Sequence, residues 1–249
     1  MEVHKHPHHA SHKKKWNEYL LEFFMLFLAV FLGFFAENVR ENISDASKEK
    51  EYIHSLYDDM HQDSINICTS LAFSRRQIQK IDSLVYIINQ HSPDSDQINA
   101  AYFCARVATR FFYFEETDRT IKQLNNSGNF RLIKNEALAD SIIDYEKNIA
   151  SYRDNHPTDI QERESLYPFI ATIFDANVFQ TMVDSTNHIQ RITGLHTLDI
   201  GDKKLNNQFI YYLHQVKSTT VSEKVSLLKI LQQSSDIRKI IREDFNIQN

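Results

Sequence analysis

One apolar stretch, Tyr19–Ala36 (YLLEFFMLFLAVFLGFFA), constrains the fold of this chain more than any other feature. Between Phe23 and Ala36 it contains no charged or strongly polar side chain. As a helix it is roughly 27 Å long at about 1.5 Å per residue, which nearly matches a hydrocarbon core of about 30 Å. Its apolar surface runs all the way round, which argues against a buried helix of a soluble protein. The sequence therefore predicts a membrane-spanning helix at residues 16–37.

The flanks of the stretch predict its orientation. Lysines precede it, whereas the residues that follow, Glu37–Glu41, carry mixed charge. An excess of lysine before the span favours a cytoplasmic N-terminus and a C-terminal domain outside the cytoplasm. A cleaved signal peptide is the alternative, but Phe34-Phe35-Ala36 places bulky side chains where a cleavage site needs small ones, so a retained anchor is favoured. The residues expected at the membrane interface are Lys13, Lys14, Lys15, Trp16 and Tyr19.

One narrow face of the predicted span differs from the rest. At about 100° per residue, this face carries Glu22, Ala29, Gly33 and Ala36, while phenylalanines cover the other faces. Small residues four positions apart allow two helix backbones to approach closely. The pattern predicts packing against a second copy or a partner helix. A lone anchor, in which the small residues are incidental, is the alternative interpretation.

The composition predicts an all-α protein. The chain of 249 residues contains only 4 Gly and 4 Pro, and a shortage of these loop-forming residues favours long helices. It also argues against glycine loops that bind phosphate. The net charge of −5 gives no basic patch for nucleic acid. We expect a basic tail at residues 1–15, the span, and an irregular antiparallel helical bundle at residues 38–249 outside the cytoplasm.

Apolar periodicity and capping residues place the elements of this domain. The span is expected to continue into one long helix, or two in line. The predicted helices cover Glu37–Gln90, Ile98–Phe114, a segment from Thr117-Asp118 to Leu124, a segment capped by Asn135, Ile160–Met182 with a bend near Pro168, Asn206–Lys217 and Val221–Phe245. The segment Val183–Lys204 is predicted to be a long loop.

Few residues suggest metal chemistry. His54, Asp58 and His61 share one helix face at a spacing that could bind zinc, but the HExxH pattern and a fourth ligand are missing. A solvated polar stripe is the favoured interpretation. The N-terminal histidines could hold a metal ion loosely, although a positive tail on lipid headgroups is favoured. These histidines are His4, His6, His8, His9 and His12. No cofactor or metal is predicted.

The cysteines and a cluster of aromatic residues are predicted to lie in the core. Cys68 and Cys104 would lie roughly 20 Å apart in height in a hairpin that turns near Pro93, too far for a disulfide. We therefore expect two buried free thiols. An aromatic cluster in the second helix is interpreted as core rather than as a ligand pocket. Its members are Tyr102, Phe103, Val107, Phe111, Phe112 and Phe114.

Two segments carry a resemblance to a known family. WNEYLLEFFMLFLAVFLGFFAENVRE (Trp16–Glu41), followed by EYIHSLYDDMHQD, resembles the N-terminus of an uncharacterised family of single-span Bacteroidota membrane proteins. TIKQLNNSGNFRLIKNEALADSIIDYE (Thr120–Glu146) is similar to that family's second marked segment. The resemblance covers about a third of the chain. It implies a single-span membrane architecture and no assigned chemistry.

These features favour a non-enzymatic role. We expect a membrane-anchored scaffold or protein-interaction module of the cell envelope, with the lipid bilayer and either itself or other envelope proteins as partners. No nucleic acid or small-molecule substrate is indicated. One alternative is a membrane-tethered, metal-dependent enzyme that uses His54, Asp58 and His61, or the acidic pair Glu115-Glu116. Another is a subunit of an oligomeric pore or energy-coupled complex with Glu22 as its intramembrane acid.

Overall fold

A computed structural model of the chain describes residues 15–186 and 188–245. Within these ranges the fold is all-α, with isolated bridges but no named strand, which confirms the predicted fold class. The chain divides into two compact units, Met1–Glu51 and Tyr52–Asn249. Most of the predicted basic tail, including its five histidines, lies outside the described residues.

The first helix is a single long element, as the sequence predicted. Helix α1 (Trp16–Ile88) begins in the first unit and ends in the second. No proline occurs in it, and its one glycine is Gly33. Neither kind of helix breaker therefore interrupts the segment between the apolar stretch and the turn at Pro93.

The second helix is shorter than predicted. Helix α2 (Ser95–Ala108) begins with a capping box, in which the Asp94 carboxylate accepts from the Gln97 N–H at 2.8 Å and the Gln97 side chain accepts from the Asp94 N–H at 2.9 Å. Its predicted end at Phe114 was wrong, because residues 110–118 are not helical. The Gln77 amide donates to the Val107 carbonyl at 3.0 Å and so satisfies an acceptor at the end of α2.

The middle of the chain follows its predicted capping residues only in part, because Asp118 makes no side-chain capping hydrogen bond at the start of its helix. Helix α3 (Arg119–Asn126) is followed by Gly128, whose φ of 69° is the left-handed conformation that glycine adopts without strain. A short 3₁₀ turn, Asn129–Leu132, then leads to α4 (Glu136–Asp154). The Asn135 side chain accepts from the Leu138 N–H at 3.0 Å, as its predicted capping role requires.

The predicted bent helix over Ile160–Met182 is three short helices. They are α5 (His156–Glu164), α6 (Tyr167–Ile173) and α7 (Ala176–Thr181), and α5 and α6 each carry a proline in the first turn. Proline lacks an N–H but fits the first turn, where that group has no partner within the helix. The predicted long loop is confirmed, since helix assignment resumes only at Lys203.

The last element is one helix, and the predicted division into two was wrong. Helix α8 (Lys203–Phe245) runs through Ser218-Thr219-Thr220, which the sequence analysis treated as a break. The Thr220 hydroxyl donates to the Val216 carbonyl at 2.8 Å inside the helix. A threonine can make this local bond without ending the helix.

In the second unit, α1 and α8 are antiparallel partners. Thr220 Oγ1 lies 3.3 Å from Gln77 Oε1, and the Ser234 hydroxyl donates to the Met60 carbonyl at 2.7 Å. Helices α4 and α5 pack against α8. The buried apolar residues form two clusters. On α1 the division falls between Leu71 and Ile81, and this interval carries the buried polar residues Ser74 and Gln77.

Candidate functional site

The apolar stretch of α1 is fully exposed on the protein. Among the described residues, α1 is the one helix long and apolar enough to cross a membrane, and none of its most apolar window is buried. Individual side chains range from 36% exposed at Leu28 to 75% at Phe34. Trp16 and Tyr19 are also exposed at its N-terminal end. Of the three interface lysines, Lys15 belongs to the described part of the chain and is exposed, whereas Lys13 and Lys14 lie outside it.

The small-residue stripe is open to other molecules. Glu22, Ala29, Gly33 and Ala36 are all exposed. A Cβ atom built at Gly33 would meet no atom within 4 Å among the described residues outside the surrounding turns of its own helix. A methyl group at this position would therefore disturb no contact with another part of the described chain.

The structure does not assemble the predicted metal trio. His54, Asp58 and His61 are exposed on α1. His61 Nδ1 instead lies 3.0 Å from Arg238 Nη1. Across residues 15–186 and 188–245, no three His, Cys, Asp or Glu side chains come together in a way that could hold a metal ion.

The two cysteines are both free, but only one is buried. Cys104 lies in the apolar core, and burial raises the pKa of its thiol. Cys68 is exposed, so its predicted burial was wrong. Its neighbours Ile67 and Leu71 are buried, and they define the core-facing side of α1. Cys68 follows Ile67 by one position, which turns it about 100° away from that side.

A buried polar layer lies on α1, α5 and α8 at the point where the apolar core divides. Its centre is Arg163, whose side chain is 3% exposed and whose Nε donates to Asp159 Oδ2 at 2.7 Å. Arg163 Nη1 donates to the carbonyls of Ala108 and Arg110 at 3.1 and 2.8 Å, and Nη2 donates to Thr220 Oγ1 at 3.2 Å. One guanidinium thus binds a carboxylate, a hydroxyl and the carbonyls where α2 ends.

Glu223 brings a second acid into this layer. Its pKa is raised to about 7, by burial most of all and then by the charge of Asp159, while Arg163 opposes the shift. Glu223 Oε1 is buried without a hydrogen-bond partner among the described residues, as is Asp159 Oδ1. The Tyr113 hydroxyl donates to the other oxygen of Asp159 at 2.8 Å, and burial first, then this bond, raises the pKa of Tyr113. The layer can thus keep one acid protonated near neutral pH.

Two acids of α1 accept hydrogen bonds from backbone N–H groups at and just before the start of α3. The Asp63 carboxylate accepts from the Thr117 N–H at 2.6 Å, and the Asp59 carboxylate accepts from the Thr120 N–H at 3.1 Å. Both acids are fully buried. Burial raises the pKa of Asp63, against the hydrogen bonds from Tyr145 and Thr117. The exposed Asp58 was the acid predicted as a candidate ligand, and these two acids were missed. Both nevertheless continue the core-facing rows of α1 at three- and four-residue steps.

A cavity of about 280 Å³ lies beside Phe103. We call it the Phe103 cavity; its lining is Phe73, Arg76, Phe103, Val107, Arg110, His188 and Ile189. Three cations surround the Phe103 ring, with Arg191 Cζ 5.3 Å, Lys80 Nζ 5.8 Å and Arg76 Cζ 5.9 Å from its centroid. The prediction that the aromatic cluster is core holds for Tyr102, Phe103, Val107 and Phe114 and fails for Phe111 and Phe112, which are about half exposed.

Comparison with known proteins assigns no function to these sites. The chain matches no protein-family model, no curated protein and no solved structure. The resemblance to single-span Bacteroidota membrane proteins therefore stays a prediction. The second of its two segments, Thr120–Glu146, covers most of α3, the turn at Gly128 and the first half of α4.

Proposed function

We propose that this protein is a membrane-anchored helical module with a scaffolding or protein-interaction role in the cell envelope. The observation that carries the proposal is the exposed apolar stretch of α1. Moving one large apolar side chain out of water stabilises by roughly 1.5–3 kcal/mol. Exposing several helical turns of such side chains to water is therefore unfavourable. A lipid bilayer is the environment that would cover all faces of the stretch at once.

The proposed location is a bacterial inner membrane, with the N-terminus in the cytoplasm and residues 38–249 in the periplasm. Support comes from the lysines before the span and from the segment that resembles single-span Bacteroidota proteins. The proposed partners are a second copy of the chain or other envelope proteins. The small-residue stripe around Gly33 supports packing of the span against another helix.

Anchoring is tested by placing charge inside the span. We expect the double variant Leu28→Arg/Phe31→Arg to leave the membrane fraction, because each arginine at a helix centre costs about 2.5–3.5 kcal/mol on insertion scales. The measurement is flotation of membranes in a density gradient, which separates anchored protein from aggregates. Val225→Arg is the matched control, since Val225 is an exposed apolar residue of α8. Equal flotation of the double variant and the control would refute the anchor.

Orientation is tested with the native cysteines. Cys68 is exposed and follows the span, whereas Cys104 is buried. We expect a membrane-impermeant maleimide to label Cys68 in intact spheroplasts that express the full chain. A Cys68→Ser variant should remain unlabelled under the same conditions. Labelling of Cys68 only after lysis would place the domain in the cytoplasm and overturn the proposed orientation.

A further inference from the structure

The Phe103 cavity joins an apolar floor to an excess of positive charge. Phe73, Phe103, Val107 and Ile189 supply the apolar surface. Arg76, Arg110 and His188 complete the lining, which contains no carboxylate. This local charge contrasts with the net charge of −5 of the whole chain. The cavity therefore differs in electrostatic character from the rest of the protein.

The cations around Phe103 lack acidic partners. Within the described parts of the chain, Arg76, Lys80, Arg110 and Arg191 form no ion pair with a carboxylate. A cation gains only about 0.5–1 kcal/mol from the face of an aromatic ring at an exposed site. Several like charges around one ring also repel one another. An anion among them would turn that repulsion into attraction.

One acid lies beside the cavity residue His188, and it is hydrogen-bonded within its own loop. Asp184 Oδ2 lies 4.0 Å from His188 Nδ1, at one side of the cavity. Asp184 Oδ1 accepts from the N–H groups of Thr186 and His188 at 2.8 and 2.9 Å, and Oδ2 accepts from the Gln190 amide at 3.1 Å. These bonds lower the pKa of Asp184, the bond from the Thr186 side chain most of all. The Asp184 carboxylate thus accepts hydrogen bonds from its own loop and does not offset the charge of the arginines.

Two of these cations also act on the buried thiol of Cys104. Burial raises the pKa of the Cys104 thiol, and the charges of Lys80 and Arg191 act against that shift. Cys104 follows Phe103 on α2 and is almost completely buried. The two cations therefore project positive potential past Phe103 into the protein, where water screens it less than at the surface.

We propose that the Phe103 cavity binds a small amphipathic anion, namely a carboxylate attached to an aromatic or short aliphatic group. The apolar group lies against Phe73, Phe103 and Val107. The carboxylate lies beside Arg76, which lines the cavity. Lys80 and Arg191 lie near the Phe103 ring, outside the lining, and add positive potential to this side of the cavity. An apolar cavity of about 150 Å³ accepts benzene, so 280 Å³ suits a group of about two fused rings. This inference does not depend on the proposed anchoring or scaffolding role.

The test uses 1-naphthoate as the probe and 1-naphthalenemethanol as its uncharged analogue. The full chain is placed in nanodiscs of zwitterionic lipid, and binding is measured by equilibrium dialysis against empty nanodiscs, which correct for partition of the probe into lipid. We expect one naphthoate per chain, and binding that weakens as salt concentration rises. The uncharged analogue should bind at least about fivefold more weakly, since it forms no ion pair.

The variant that tests the site is Arg76→Gln/Lys80→Gln. Arg76 is exposed and Lys80 is half-buried on α1, and neither forms an ion pair with a carboxylate of the described residues. The fold should therefore be kept, and far-UV circular dichroism checks this. We expect naphthoate binding to weaken by about fivefold to tenfold. Arg75→Gln is the matched control, because Arg75 is exposed on α1 and does not line the cavity. It should bind naphthoate like the unchanged chain.

Three results would overturn the inference. The first is naphthoate uptake no greater than that of empty nanodiscs. The second is equal weakening by Arg75→Gln and by the double variant, which would mean attraction to net charge and not to this cavity. The third is equal binding of 1-naphthalenemethanol, which would make the cavity merely apolar. Loss of binding in a further variant, Phe73→Ala, would support the apolar half of the site.

Discussion

Replacing Arg163 with methionine should destabilise the second unit strongly. The substitution keeps most of the side-chain length but removes the guanidinium that donates to Asp159, Ala108 and Arg110, and leaves Tyr113 as a donor to Asp159. It leaves a carboxylate buried without its cation, and it leaves the carbonyls at the end of α2 without the guanidinium. Breaking a buried ion pair by removing one partner costs about 3–5 kcal/mol. For a domain of this size, that loss corresponds to a fall in Tm on the order of 10 °C.

The chain contains a closely matched control. Arg153 Nη1 lies 2.6 Å from Glu116 Oε1, almost the same distance as in the Arg163–Asp159 pair, but the Arg153 side chain is 53% exposed. The Glu116 side chain is 13% exposed, so only the arginine of this pair lies in water. Water screens such a pair more than a fully buried one, and an exposed pair contributes about 0–1 kcal/mol. Arg153→Met should therefore lower the free energy of unfolding only slightly. Burial, and not the length of the ion pair, is the variable that separates the two substitutions.

The assay is urea unfolding of the full chain in mild detergent, followed by far-UV circular dichroism. Tryptophan fluorescence is unsuitable, because Trp16 is the only tryptophan and lies next to the span. A conservative Arg163→Lys variant should fall between the unchanged chain and Arg163→Met, since an ammonium keeps the charge but lacks the planar fork that reaches several acceptors. Equal losses for Arg163→Met and Arg153→Met would refute the reasoning, because burial would then have no energetic consequence here.

Two further predictions concern a charge and a glycine. The pKa of Glu223 is raised from an ordinary 4.5 to about 7, so the folded chain binds more protons than the unfolded chain between these values and loses stability as pH rises through them. Glu223→Gln should therefore stabilise the protein at pH 8, by about 1–3 kcal/mol. It should also reduce the change in the free energy of unfolding, measured with urea, between pH 5 and 8, whereas Glu164→Gln at an exposed position should not. An unchanged pH profile would contradict the shifted pKa. Gly33→Ile should reduce self-crosslinking in membranes while Leu32→Ile does not, since a Cβ atom at Gly33 meets no atom of another part of the described chain within 4 Å. Equal crosslinking of the two variants would refute the stripe as a packing face.

The sequence located most helices but misplaced several of their ends. Asn135 was predicted correctly because a capping side chain acts within three residues of the helix start. The end of α2 could not be read in this way. Its carbonyls are satisfied by Gln77 and Arg163, which are distant in sequence and reach it only through the packing of α1 and α5. A local pattern carries no record of such a partner.

The candidate sites also differ in whether they can be recognised from a local sequence pattern. The apolar stretch was evident from sequence, because every one of its faces is apolar and no fold is needed to recognise it. The Phe103 cavity was not evident, since Arg76, Phe103 and Arg191 come from three separate segments. Asp59 and Asp63 could have been predicted as buried acids, because they are ionisable residues in the core-facing rows of α1. The sequence prediction did not use this pattern.

The sequence by itself determined the all-α class, the apolar stretch and the caps, because composition, hydrophobic period and capping chemistry act over a few residues. Only the tertiary structure decided that α8 continues through Thr220 and that Cys68 faces outward. It also decided that Arg163, Asp159 and Glu223 share one buried layer. The free energy of a buried charge depends on which groups the packing of distant segments places beside it, and no local pattern specifies those groups.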